Sequence, residues 1–165
     1  MQLAIRDAVA ADAAEIADLR VVVAGDLTQR FGKGFWSSNA TAKGVLLGLK
    51  RGKVLIATRA GIIVGTLTLG TRKPWAIDTA YFTKVEKPVY LTSMAVHPKL
   101  QKQGVGRAML EAAENSSRAW PGHAIRLDAF DADAGAGEFY SKCGYQERGR
   151  AVFKTVPLIY YERLL

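Results

Sequence analysis

The spacing of hydrophobic positions changes several times along the chain, and each change marks an element. Gln2 to Arg6 alternates polar and apolar, which predicts a first strand; from Ala8 onward Ile16, Leu19 and Val23 recur three and four apart, the period of a helix with one buried face. The Gly32-Lys33-Gly34 stretch interrupts that helix. A second helix is expected from about Asn39 to Leu49, with Gly52 as its stop. Val54 to Thr58 and Ile62 to Leu69 are β-rich runs around Ala60-Gly61, the signature of a hairpin. Residues 71 to 87 read as a loop or irregular excursion carrying Trp75, Tyr81 and Phe82.

Val89 to Val96 is the next strand, and it feeds a helix from about Gly104 to Arg118 whose apolar stripe is Val105, Met109, Ala112 and Ala113. Pro121-Gly122 ends it. Ile125 to Phe130 is a strand, Ala134 to Cys143 a short helix, and Gly144 sits where a left-handed terminator belongs. Two further β-rich runs follow, Tyr145 to Phe153 and Pro157 to Leu165. The order βααβββαβαββ is mixed α/β, and its central strand, helix, strand crossover calls for at least one parallel pair.

Length and composition narrow the class. At 165 residues the chain is expected to form one domain, 1–165, with no internal repeat or low-complexity tract. No apolar stretch approaches the ~18 residues of a membrane span, and Met1-Gln-Leu-Ala-Ile-Arg-Asp7 meets a charge early, so a cytoplasmic protein without a membrane partner is expected. Cys143 is the only cysteine, which excludes a disulfide scaffold. The net charge of +8 is unevenly placed: residues 27–77 hold nine basic residues and no acid, and the other 114 residues are almost balanced. Such a third is either a solvated basic surface or a face for an anionic partner.

The run Leu91 to Leu110 carries the chemistry. It joins an apolar strand to a helix through a basic turn in which Gly104 and Gly106 present no side chain to an approaching ligand. The amides from Gln103 to Arg107 fall in the first helical turn, where backbone donors lack intrahelical partners. Lys99, Lys102 and Arg107 add positive charge at the positive end of the helix dipole, so a diphosphate fits there. The ATP-binding string G-x-x-x-x-G-K-[ST] does not occur, and the dinucleotide pattern G-x-G-x-x-G lacks its third glycine, replaced by Met109. What remains is Gln-x-x-Gly-x-Gly at Gln101, Gly104 and Gly106, after a strand ending Val96-His97-Pro98. An ordinary glycine turn is the alternative.

That string resembles the acetyl-CoA signature of the GNAT superfamily of N-acetyltransferases. Glu138-Phe-Tyr-Ser-Lys-Cys-Gly-Tyr145 resembles the family's Y-x-x-x-G-[FY] segment, with Tyr140, Gly144 and Tyr145 in the matching positions, and the element order matches along the whole chain. The resemblance implies a mixed, mainly antiparallel twisted sheet of about seven strands, a central parallel pair splayed at the cofactor site, and about four helices. It implies acetyl-CoA as co-substrate and no metal. Backbone groups of Met94, Ala95 and Val96 would meet the pantetheine and polarise the thioester carbonyl, while Gln101, Lys102, Gln103, Gly104, Val105, Gly106 and Arg107 would hold the diphosphate. Tyr140 matches the family's general-acid tyrosine, a phenol protonated at neutral pH that can supply a proton to the departing thiolate. Asp133 stands where the family often has a cofactor-binding Asn; a carboxylate accepts a hydrogen bond but cannot donate one, and Asp133 is equally suited to cap the short helix.

No general base stands out among Glu86, Asp78 and Asp128. In the family's architecture the acceptor meets a lid from the first two helices and the loop before the central strand, which here supplies Arg30, Phe31, Trp36, Trp75, Tyr81 and Phe82, with Glu86 and Asp128 as acidic contacts. Aromatic and basic residues in alternation suit an anionic or aromatic amine, a small molecule or a peptide, attacked by direct transfer in a ternary complex. They also suit nucleic acid on the 27–77 face, a less favoured reading, and a non-catalytic acyl-CoA-binding module shares the same pocket. His97 and His123 have no metal-ligand companion, and Cys143 reads as a buried inert thiol. Monomer and homodimer are both compatible.

Overall fold

The computed structural model describes residues 2–165 and shows seven strands and four α-helices in the order βααβββαβαββ. They are β1 (Leu3–Asp7), α1 (Ala13–Phe31), α2 (Ala42–Arg51), β2 (Lys53–Arg59), β3 (Ile62–Gly70), β4 (Pro88–Val96), α3 (Val105–Ala119), β5 (Ala124–Phe130), α4 (Gly137–Lys142), β6 (Gln146–Phe153) and β7 (Val156–Leu164). Hydrogen-bonded neighbours run β1-β2-β3-β4-β5-β7-β6, with β4 and β5 parallel. The chain gathers into two compact units: Met1–Leu69 with Ser93–Ala113, and Gly70–Thr92 with Glu114–Leu165.

In the first unit α1 buries Ala13, Ile16, Ala17 and Leu19 against Val45 of α2 and Val54, Ile56 and Ile63 of the sheet, with Val23 partly buried beside them. A 3-10 turn, Ala10–Asp12, precedes α1, so the helix proper begins later than Ala8. Asp12 organises that entry by accepting from Arg6 at 2.8 and 2.9 Å and from the Val9 amide at 2.8 Å. The Arg6 bonds, with the Val9 amide, hold the Asp12 carboxyl down at about 2. α2 starts at Ala42 rather than Asn39 because the Thr41 hydroxyl accepts from the Gly44 amide at 3.1 Å, fixing the cap there. Ala60 (φ 53°) and Gly61 (φ 76°) make the tight β2–β3 turn, both left-handed as a two-residue hairpin matching strand twist requires.

In the second unit β5, β7 and β6 are antiparallel, and β4 pairs with β5 from Pro88↔Ala124 to Tyr90↔Arg126. Its core is Ile77, Phe82, Tyr90, Leu158 and Tyr160. Here the structure corrects two expectations. Phe82 is 7% exposed and belongs to this core, so it is not available to an acceptor. The short helix runs Gly137–Lys142 instead of Ala134–Cys143, because the chain after β5 first closes a turn in which the Gly135 amide donates to Ala132 O at 2.8 Å. A Cβ at Gly135 would collide with the Phe130 carbonyl, so only glycine fits that turn.

Candidate functional site

The turn after β4 is built from its own side chains. The His97 amide donates to Val64 O at 2.8 Å, and its Nδ1 accepts from the Lys99 amide at 3.2 Å, capping the 3-10 turn Pro98–Leu100. Gln101 folds back so that Nε2 donates to Val96 O at 3.1 Å, tying the turn to the end of β4, and Gln103 Nε2 donates to Lys99 O at 2.9 Å. Lys102 (φ 62°) and Gly104 (φ 88°) are left-handed on either side of Gln103. Alternating handedness of this kind turns successive amides toward one concavity, a nest for an anion. The first intrahelical bond of α3, Ala108 N to Gly104 O at 3.0 Å, leaves the Val105 and Gly106 amides ahead of it at the helix mouth. A Cβ at Gly104 would meet nothing, so it is the backbone angle that calls for glycine there.

β4 is irregular immediately before Met94. Ser93 has φ 54°, an angle uncommon for a residue with a Cβ, and its presence inside a strand marks a break in the pleat. No sequence signal announces it, since glycine or asparagine would be the usual occupant. Gly65 of β3 was equally silent as a site residue: Met109 and Val105 of α3 lie over it and leave no room for a side chain. Arg30 is exposed, donates to Asp26 at 3.3 Å and lies over the Phe31 ring at 4.9 Å. Trp36 folds over Gly34 and donates Nε1 to Gly32 O at 2.9 Å.

In the second unit Tyr140, on α4, is 6% exposed, with the rings of Phe139, Tyr145 and Tyr161 at 5.3, 5.9 and 6.0 Å. Burial, reinforced by the neighbouring Asp128 and Cys143, pushes its phenol well above the ordinary tyrosine value. Asp128 of β5 is half-buried and faces Tyr160 in register across β7; desolvation pushes its carboxyl up. Tyr140 and Asp128 are therefore brought into electrostatic range of one another. The other acids are not so placed: Asp78 is exposed and its Oδ1 accepts from the Ala80 amide at 3.0 Å, and Glu86 lines a small open cleft with Lys87, Val89, Trp120 and Gly122. Asp133 is exposed in the turn, and the cap position of α4 belongs to Ala136 instead. Cys143 is half-buried at the C-cap of α4.

The segment 71–87 is pinned to the sheet. Tyr160 OH donates to Ala76 O and accepts from the Asp78 amide at 3.3 Å. Arg126 and Glu162, paired in register across β5 and β7 and 5% and 2% exposed, meet at 3.2 Å. Arg126 Nη2 donates to Thr83 O at 2.6 Å while Glu162 Oε1 accepts from Thr83 N at 3.2 Å, so the ion pair satisfies both backbone groups of one loop residue. Between these clamps Tyr81 is partly exposed, and Trp75 projects at 89% exposure. Of the basic third, Lys53 pairs with Asp7 at 3.6 Å and Lys73 Nζ donates to Pro74 O and Ile77 O, while Lys43, Lys50 and Arg51 stand exposed on α2. Among the described residues no group of three or more His, Cys, Asp or Glu could hold a metal, and no helix is long and apolar enough to cross a membrane.

A seven-stranded mixed sheet with a glycine-bearing, basic turn between β4 and α3 defines the class of this protein. Residues 50–147 match the family model described as the acetyltransferase (GNAT) domain, and the chain belongs to that family of acetyltransferases, for which acetyl-CoA is the typical donor. Among solved structures, the GCN5-related N-acetyltransferase of Rhodopseudomonas palustris superposes with a TM-score of 0.74 at 23% identity, over 100% of this chain and 97% of that one. The yncA acetyltransferase of Salmonella typhimurium, solved with its cofactor acetyl-CoA, gives 0.70 at 18% identity over 99% and 94%. A ribosomal-protein-alanine N-acetyltransferase of Brucella melitensis gives 0.71 at 18% over 98% and 99%. These likenesses establish the fold. No curated protein sequence matches the chain.

Proposed function

We propose that residues 1–165 work as one N-acetyltransferase domain that moves an acetyl group from acetyl-CoA to a primary amine by direct attack in a ternary complex. The observation that carries this reading is the nest at Lys102–Gly104, held to β4 by Gln101 and opening on the first turn of α3, in a chain of this family. Its amides, with the Lys102 and Arg107 charges, suit the diphosphate of the donor, and the backbone of Met94, Ala95 and Val96 suits the pantetheine arm. When bound, acetyl-CoA supplies an activated acetyl thioester.

The chain's own part is proton management. Tyr140 Oη keeps its proton at neutral pH because burial raises its pKa, so it serves as the donor to the departing sulfur and not as a base. Of the three acids, Asp128 suits the opposite role. Its carboxyl is shifted upward, toward the working pH of a base, and it is close enough to Tyr140 to interact with it. Asp128 would take one proton from the neutral amine nitrogen and Tyr140 would give one to the sulfur; passage of the Asp128 proton back to Tyr140 would restore both groups, so a neutral amine is acetylated with no net proton released. Trp75, Tyr81, Arg30 and Trp36 are assigned to the acceptor side, with Glu86 more distant in role because it faces the open cleft.

Thermal melts with acetyl-CoA, CoA, ATP and NAD test the reading. A ligand at a hundred times its dissociation constant adds about 2.7 kcal/mol of stability. Stabilisation by the two CoA species alone is expected, followed by amine-dependent thiol release; equal responses to all four nucleotides, or none, would remove the donor assignment.

A further inference from the structure

No step of the proposed transfer uses Arg20, although its setting in the first unit is costly. The residue lies on α1 and is half-buried; its Nε is sealed from solvent and has no hydrogen-bond partner. Among the described residues its one hydrogen bond runs from Nη2 to Thr68 Oγ1 of β3 at 3.4 Å, a long one. No carboxylate among the described residues lies within ion-pair distance of it. Asp18 of the same helix is exposed, and the other acids of that region are engaged elsewhere. Asp12 holds Arg6, Glu15 Oε1 accepts from the Ile63 amide at 2.8 Å, and Asp26 pairs with Arg30. Desolvation lowers the guanidinium pKa, and no neighbouring charge opposes that shift.

A desolvated cation without a counter-charge is destabilising, and an apolar chain of similar length would fill the same space at lower cost. The fold therefore holds a planar five-donor fork beside a hydroxyl, with no carboxylate of its own to meet it. Guanidinium forks match carboxylate and phosphate oxygens in bidentate fashion, and the Thr68 hydroxyl can donate to the same group.

We propose that Arg20, with Thr68 beside it, is the receptor for a carboxylate or phosphate group carried by the acceptor, which makes the acceptor an anionic amine. The word acceptor rests on the acetyl-transfer reading. The anion site itself does not, and the only other source of the same chemistry is a phosphate of CoA.

The experiment compares wild type with Arg20→Met, both saturated with CoA so that the α3 turn is occupied, in melts with succinate or inorganic phosphate against sodium chloride at equal ionic strength. Wild type should gain several degrees from succinate or phosphate. Arg20→Met should melt no lower than wild type without them and should gain nothing from them. A variant that melts well below wild type and still responds to both anions overturns the proposal, because Arg20 would then be a packing residue. A variant that loses tenfold or more in CoA affinity assigns the anion to CoA and overturns the acceptor assignment. A second readout covers a variant that fails to fold: the buried Arg20 Nε–Hε resonance of the wild-type protein should move on titration with succinate, and a resonance that stays put overturns the site. That titration can be run without CoA, so failure of the donor assignment is told apart from failure of the Arg20 site.

Discussion

Met109 of α3 lies directly on Gly65 of β3: a Cβ at Gly65 would come 2.5 Å from its sulfur and 3.4 Å from Val105 Cγ1. The first turn of α3 is thus seated by the absence of a side chain on the strand beneath it. Gly65→Val should cost about 1–3 kcal/mol by overpacking and should weaken CoA binding more than the stability loss accounts for, since the nest is attached to the displaced helix. Urea unfolding and calorimetric titration with CoA measure the two effects; unchanged CoA affinity in a destabilised variant would show that the nest does not depend on this seat.

Gln101 ties the nest to the end of β4 through its bond to Val96 O. Removing one such bond is worth about 1 kcal/mol. Gln101→Ala is therefore expected to bind CoA about fivefold more weakly while melting close to wild type. Full affinity in calorimetric titration would mean that the turn is held by its backbone alone.

Tyr140→Phe keeps the ring packing against Phe139, Tyr145 and Tyr161 and removes only the proposed proton donor. Turnover should fall by about 10²–10⁴, with the CoA-dependent rise in melting temperature retained. An active Phe variant would take Tyr140 out of the chemistry.

The raised pKa values of Tyr140 and Tyr145 also set an alkaline limit on stability. Burial is the main cause at both, so the unfolded chain loses these protons first, near its ordinary value of about 10. Stability is full below that pH and falls as pH rises toward the folded values, with the two groups giving a slope of about 2.7 kcal/mol per pH unit. Tyr160 shifts in the same direction. Urea unfolding between pH 9 and 11.5 measures the slope, and Tyr145→Phe should reduce it by about 1.4 kcal/mol per pH unit. A flat profile would contradict the burial assigned to these phenols.

The Arg126–Glu162 clamp on Thr83 makes a non-additive prediction. Arg126→Met leaves the buried Glu162 only the longer pair with Arg148, at 3.8 Å, and should cost about 3 kcal/mol, the low end for a broken buried pair, whereas Arg126→Met with Glu162→Leu should regain most of that loss. The double variant nonetheless frees both backbone groups of Thr83. Exchange of the Thr83 amide should then accelerate while the global transition stays near wild type; an amide as protected as before would show that the segment 71–87 is held by Phe82 and Tyr160 alone.

Much of this molecule is legible along the chain, for a local reason. The element order, the Ala60-Gly61 hairpin, the Gly52 stop and the Gln101-Gly104-Gly106 turn each depend on residues within a few positions of one another, where propensity, period and backbone freedom act directly. Element starts were less legible. Thr41 caps α2 so that it starts three residues inside the expected range, and Gly135 shortens α4 by forcing a turn that only a view of the Phe130 carbonyl explains. The site needed the tertiary structure. Asp128 could not be told from Asp78 and Glu86 until burial separated them, because desolvation depends on what covers a residue, not on its neighbours in sequence. Phe82 passed from acceptor contact to core for the same reason. Arg126 and Glu162 lie 36 residues apart and become one clamp only through strand register, and Arg20 is conspicuous only once the fold has taken water from it and offered no acid in exchange. The sequence by itself determined which pieces form and where a glycine-bearing, basic turn opens a helix. The tertiary structure decided which side chains lose their solvent and which partners they meet, because packing joins residues the chain keeps far apart.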